Sequence, residues 1–211
     1  GTPAVILQDD DPLTGDPIPE AARTLDWNLP AQSLAALRCD IDRGDYTLTA
    51  SGGTSAELTL TGALLKTGSS ALTIKRPVAF GADGALKLLG GTTEFTGTLR
   101  AVSGDFKKPI TLAGSAVLSF NGGTSSYALK GLLSGDGTGA IRFNGTGSLT
   151  LGMALDDVAA LTVEKGSVAL TAGEQTVLAP AVTLASDRAL LSYAPETLAL
   201  GGDVSLRVNA V

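Results

Sequence analysis

The chain has 211 residues, a net charge of −6 and 44% hydrophobic residues, with 27 glycines, no histidine and only 4% aromatics. Such a length buries a real core, as one extended domain or two small ones. The acidic balance excludes a nucleic-acid binder and an anionic membrane surface as partner, because both need concentrated basic charge. Glycine without a Gly-X-Y period excludes collagen, and plentiful Leu, Val and Ile exclude wholesale disorder.

Residues 1–43 read as a Pro-rich N-terminal cap or linker. Five of the nine prolines (Pro3, Pro12, Pro17, Pro19 and Pro30) fall here, beside the acidic run Asp9-Asp10-Asp11. Proline at this density blocks regular ladders and predicts loops and short extended pieces. Trp27 reads as a core residue of the cap or, alternatively, as a platform for ligand stacking. Ala31–Arg38 is the best helical stretch, since Leu34 and Leu37 share a helix face and Pro30 suits a helix start. So short a helix must pack against the first rung of the β-structure downstream. Cys39 is the single cysteine, so no internal disulfide forms and it reads as a small buried hydrophobe.

From Tyr46 onward the period is two. Leu58 and Leu60 flank Thr59, Leu72 and Ile74 flank Thr73, Leu86 and Leu88 flank Lys87, and Ile141 and Phe143 flank Arg142. One set faces a core and the other faces water. Gly52-Gly53-Thr54, Gly90-Gly91-Thr92, Gly122-Gly123-Thr124 and Asn144-Gly145-Thr146 punctuate these pieces, where positive φ permits tight bends. Ile141 to Leu161 spans 20 residues and Leu149 to Val168 spans 19. A coil of ~20–30 residues signals stacked architecture, and roughly seven or eight coils fit residues 44–211.

The predicted fold is therefore all-β: a parallel β-helix, or β-solenoid, with a short N-terminal helical or loop cap. A β-sandwich is the alternative, since short strands and glycine-rich turns also describe one. Phe80, Phe95, Phe106, Phe120 and Phe143 would thicken particular coils or cover an outer face. The start, Gly1-Thr2-Pro3, lacks a methionine and reads as a processed or trimmed end. Val204–Val208 reads as a strand that suits a cut within a longer array. No apolar run approaches the ~20 residues of a membrane-spanning helix.

Gly68-Ser69-Ser70-Ala71-Leu72-Thr73-Ile74 and Gly145-Thr146-Gly147-Ser148-Leu149-Thr150-Leu151-Gly152 resemble the autotransporter-associated β-strand repeat. Leu161–Leu170 resembles its second half, and Leu65-Lys66-Thr67-Gly68 its lead-in. The better units cover 65–90 and 139–170. Met153–Val158 departs from the Asn-Thr-Tyr-x-Gly segment frequent in that family. The resemblance implies a right-handed parallel β-helix in an exported bacterial surface protein, such as an autotransporter passenger or related adhesin. It implies a secreted or cell-surface location, with the parent protein associated with the outer membrane. The function it implies is a structural or adhesion module, with host or extracellular glycans or proteins as partners.

Without histidine, the Ser-His-Asp, Cys-His and histidine-metal arrangements are unavailable. The glycines of Leu133–Gly139 suit a bend better than a phosphate cradle. No catalytic residue, cofactor or metal ligand is assigned. Asp40, Asp42 and Asp45 cluster where the two regions meet, and clustered acids serve glycoside hydrolysis or calcium binding. They are the candidates for an acidic site, while Trp27, Tyr46 and Tyr127 are those for sugar stacking. A carbohydrate-binding or polysaccharide-degrading β-helix is thus the second functional reading. Asn144-Gly145-Thr146 formally matches a glycosylation acceptor but suits a turn better.

Overall fold

In the computed structural model, residues 4–19, 23–26, 32–49, 57–171, 177–178, 180–193, 199–200 and 204–206 are described. They form an all-β, parallel solenoid without an α-helix. The first sheet stacks six strands in chain order: Ala4–Gln8, Ala36–Asp40, Ala63–Thr67, Ala85–Leu88, Ile110–Leu112 and Leu133–Gly135. They mark six successive turns.

The central sheet runs further, from Thr24–Asp26 through Tyr46–Thr49, Leu72–Ile74, Thr92–Phe95, Val117–Phe120, Gly139–Leu151, Val158–Leu170 and Ala181–Leu184 to Val204–Leu206. A third sheet stacks Gln32–Leu34, Leu58–Leu60, Val78–Phe80 and Leu99–Ala101. Every pairing between these strands is parallel, as it must be when a chain winds repeatedly in one direction.

The sequence periodicity sets the register. Ile141 pairs with Leu161 and Leu149 with Val168, the two spacings that the sequence marks as one coil. Elsewhere the central-sheet interval stretches as far as Tyr46 to Leu72, so the coil length is not constant. Along each strand the alternation puts Leu, Ile, Val and Phe inside: Leu58 and Leu60 are buried about a half-buried Thr59, and Leu72 and Ile74 about Thr73. A one-residue slip would turn every such side chain outward, so burial itself fixes the register.

All five phenylalanines lie wholly inside and none covers an outer face. Phe95, Phe120 and Phe143 stack in register on three successive coils. The rings of Phe95 and Phe120 are 6.0 Å apart, those of Phe120 and Tyr127 4.6 Å, and those of Phe80 and Phe106 5.1 Å edge to face. Phe95, Phe120 and Phe143 thus form one aromatic column in the interior, with Tyr127 against Phe120.

The helix predicted for Ala31–Arg38 does not form. Gln32–Leu34 is a strand of the third sheet and Ala36–Asp40 one of the first. Ala36–Asp40 is paired on both sides, with Ala4–Gln8 and Ala63–Thr67, and that ladder overrides a local preference of only a few tenths of a kcal/mol per residue. Leu34 and Leu37 both point inward, but from two different sheets across the corner at Ala35 rather than from one helix face. Stacking also begins upstream of Gly44, since Ala4–Gln8 and Thr24–Asp26 are rungs.

Phe120→Ala should destabilise the chain by about 3–5 kcal/mol through loss of burial and the cavity left between Phe95 and Tyr127. Thr162→Ala on the outer face of the central sheet should stay within about 0.5 kcal/mol. Denaturant unfolding of the two variants checks the contrast.

Candidate functional site

The acids at the boundary of the two regions sit on the corner that links the first sheet to the central one. Asp40 accepts a hydrogen bond from the Thr67 hydroxyl at 2.7 Å and lies 3.8 Å from the Arg38 guanidinium. Asp42 accepts from the Ser69 backbone N–H at 2.7 Å and from its hydroxyl at 3.1 Å. Asp45 accepts from the Ala71 N–H at 2.7 Å. Each carboxylate therefore reaches the following coil and satisfies a donor there.

A related arrangement recurs along this corner, toward the following coil at Asp9 and toward the preceding one at Asp136 and Asp157. Asp9 accepts from the N–H groups of Asp42 and Arg43, Asp136 from Gly114 and Thr138, and Asp157 from Gly135. Corner N–H groups cannot join a straight ladder, and an ionised carboxylate is a strong acceptor for them. The Ser69 N–H, then its hydroxyl, hold Asp42 below the usual carboxylate range. The Gly114 N–H and then the Thr138 hydroxyl and N–H lower Asp136 to about 2. Asp42 and Asp136 are thus ionised at neutral pH, the opposite of the raised pKa that a general acid in glycoside hydrolysis requires.

Tyr46 and Tyr127 are core residues, 3% and 2% exposed. The Tyr46 hydroxyl donates to the Gln8 carbonyl at 2.6 Å, and the Tyr127 hydroxyl to the Phe95 carbonyl at 3.3 Å. Neither ring offers an open face to a sugar. Burial raises both phenol pKa values, that of Tyr127 to about 12. Trp27 lies outside the described residues. Among the described residues no group of three or more His, Cys, Asp or Glu could hold a metal ion, and no helix is long and apolar enough to cross a membrane.

A separate concave feature is a fault in the third face. Its four-stranded sheet stops at Leu99–Ala101, and the next strand on that face, Ser126–Leu129, pairs only with Gly139–Leu151 beyond it. Between them the chain turns back on itself: Ala101 and Gly104 exchange N–H···O bonds at 3.0 Å. Phe106 then takes over the contact with the next coil, donating its N–H to Ala128 and accepting one from Lys130.

The result is a groove of about 400 Å³ with Thr98–Arg100 and Gly104-Asp105 on one side and Ser126–Ala128, Ser148 and Thr150 on the other. Its charges are matched in pairs: Arg100 forms two bonds to Glu57, and Asp105 one to Lys130. Its floor carries hydroxyls, with the Ser148 hydroxyl bonded to that of Ser126 at 3.0 Å.

Sequence reasoning missed this groove. Gly52 to Gly90 spans 38 residues and Gly90 to Gly122 spans 32, an unevenness that signals an irregular coil but not where its chain leaves the ladder. It also missed three buried cations, Arg23, Lys66 and Arg76. For Lys66 the signal was present, since it shares the inward phase of Leu64.

No protein-family model, no curated protein and no solved structure matches this chain.

Lowering the pH should expose the role of the corner acids. Asp136 has its folded pKa pushed down to about 2 against about 3.9 unfolded. Its contribution to stability is complete above the unfolded value and is lost as pH falls from there through about 2. Asp136→Asn should therefore lower the melting temperature at pH 6 and flatten its decline between pH 5 and 2, as followed by circular dichroism.

Proposed function

We propose that the chain is a non-enzymatic structural or adhesion module of an exported bacterial surface protein. The observation that carries this reading is the unbroken parallel ladder of the central sheet, nine strands from Thr24 to Leu206. At ~4.8 Å per rung it holds about 40 Å of length through backbone bonds alone. A rigid spacer of this kind owes its function to length and to what its outer faces present. Those faces carry few charges and many hydroxyls, and recognition on them proceeds by shallow contacts added over several coils. The repeat-like units at 65–90 and 139–170 support the exported, surface-located setting.

A carbohydrate-binding role is the second reading, and the third-face groove favours it. The groove is lined by Ser126, Ser148 and Thr150 and its charges are already paired, which suits a neutral hydroxylated ligand better than an ionic one. The wall residue Arg100 is the accessible handle on this groove.

Both readings are tested together with immobilised chain offered to panels of extracellular glycans and matrix proteins, alongside reducing-sugar assays on the same polysaccharides. The scaffold reading expects no product from any polysaccharide and no change on replacing Asp42 and Asp45 by Asn. Product release that disappears in the double variant overturns it. Binding lost on Ser148→Trp, which fills the groove, assigns recognition to the third face.

A further inference from the structure

The corner between the first and central sheets changes length from coil to coil. Cys39, Lys66 and Leu88 stack in one inward column, and Tyr46, Leu72 and Thr93 in the next. Six residues separate Cys39 from Tyr46, five separate Lys66 from Leu72, and four separate Leu88 from Thr93. The two later corners, Leu112 to Leu118 and Gly135 to Ile141, return to five. Parallel stacking matches each N–H to a carbonyl only where successive turns have equal length. Where corners shrink in succession the N–H groups and carbonyls of adjacent turns fall out of step, and the Thr67 carbonyl accepts a long backbone bond, from the Ile41 N–H at 3.4 Å.

Lys66 sits in the middle of this contraction, fully buried in a column otherwise filled by Leu7, Cys39, Leu88 and Leu112. Its ammonium donates to the carbonyls of Thr67 at 2.6 Å and Gly68 at 2.8 Å, and reaches that of Gly90 at 3.5 Å on the next, shorter corner. A lysine has three donors and no acceptor, and here they converge on oxygens of two adjacent coils. The corner is tight: a Cβ on Gly90 would lie 2.9 Å from the Gly68 oxygen, and one on Gly91 2.4 Å from that of Ser70.

We infer that Thr67, Gly68 and Gly90 form a cation site of backbone carbonyls, filled by the protein's own Lys66 ammonium, which lets corners of unequal length stack. Burial lowers the Lys66 pKa, while Asp42, Asp40 and Asp9 on the preceding corners oppose that shift. The neighbouring Cys39 thiol is pushed up to about 12 by burial, so it stays neutral and leaves the ammonium to the carbonyls. The three aspartates face it from the Ala4–Gln8 and Ala36–Asp40 side. On the other side it meets Leu88, whose neighbour Leu89 donates its N–H to the Lys66 carbonyl.

The test is amide hydrogen exchange on the whole chain carrying Lys66→Met, with and without one glycine inserted between Gly90 and Gly91 to restore a five-residue corner. Lys66→Met should speed exchange at residues 67–70 and 89–91 at least tenfold, leaving 112–116 unchanged, and the insertion should remove most of that effect. Lys66→Ala should be slowed back toward wild type by methylammonium chloride but not by sodium chloride at equal ionic strength. Exchange in Lys66→Met equal to wild type, or equally fast with and without the insertion, overturns the inference. If Lys66→Met alone does not fold, folding of the inserted Lys66→Met chain supports it and failure of that chain overturns it.

Discussion

The structure depends on one constraint: each residue of a coil lies directly on its counterpart one coil earlier, joined by parallel backbone hydrogen bonds. Like must therefore stack on like. An inward leucine needs an inward apolar residue above it, and a bend needs a bend. The columns arise from this, as in Tyr46, Leu72, Thr93, Leu118, Ile141, Leu161 and Val182 along the central sheet. So does the placing of the aromatics, since one large ring in a narrow interior forces its neighbours to make room on the same side. Phe95, Phe120 and Phe143 share that space by standing in one column.

The corners are where the constraint is hardest to meet, because the chain must turn while its polar groups stay paired. Two kinds of side chain solve the two halves of this problem. Aspartates on the outside accept from N–H groups of an adjacent coil, as at Asp9, Asp42, Asp136 and Asp157. Lys66 on the inside donates to carbonyls. Positive φ at Gly68, Gly91 and Gly114 supplies the turn itself. The acidic net charge of the chain is in part the chemistry of its corners, and this removes much of the reason to read the acids as a catalytic cluster.

The repeating architecture was legible because the constraint writes itself into sequence. Period-two alternation gave the strands, and the spacing of Ile141 to Leu161 and of Leu149 to Val168 gave the register. What was not legible depended on contacts between coils that no local pattern encodes. Ala31–Arg38 carries good helix formers and two leucines three apart, yet pairing on both sides of Ala36–Asp40 decides its state. Tyr46 and Tyr127 are an exception, since they share the inward phase of Leu48 and Leu129 and the alternation itself signals that their rings point inward. Asp40, Asp42 and Asp45 are close in sequence, but each is directed at a different donor on the next coil. The third-face groove arises from the return of Val102–Asp105 on its own strand, which in sequence looks like one more spacer.

The same constraint separates the part of the surface that the fold dictates from the part left free. Inward positions and corners are fixed by stacking, so they carry little information about a partner. Outward positions are not, and on the central sheet they run Thr47, Thr73, Glu94, Arg142, Thr162 and Thr183, with Ser119 in the same phase but buried. There the charged members are paired with one another or with a hydroxyl: Arg142 with Glu164 and Glu94 with Ser119. A partly exposed ion pair such as Arg142–Glu164 adds about 0–1 kcal/mol, so stability does not require it. A surface of neutralised charge and hydroxyls resists nonspecific ionic capture and leaves shape as the means of discrimination. Shape is uniform along a regular solenoid except where a coil is irregular. The fault between Leu99–Ala101 and Ser126–Leu129 is one such irregularity among the described residues, and it is where a surface built by repetition acquires a distinguishable place.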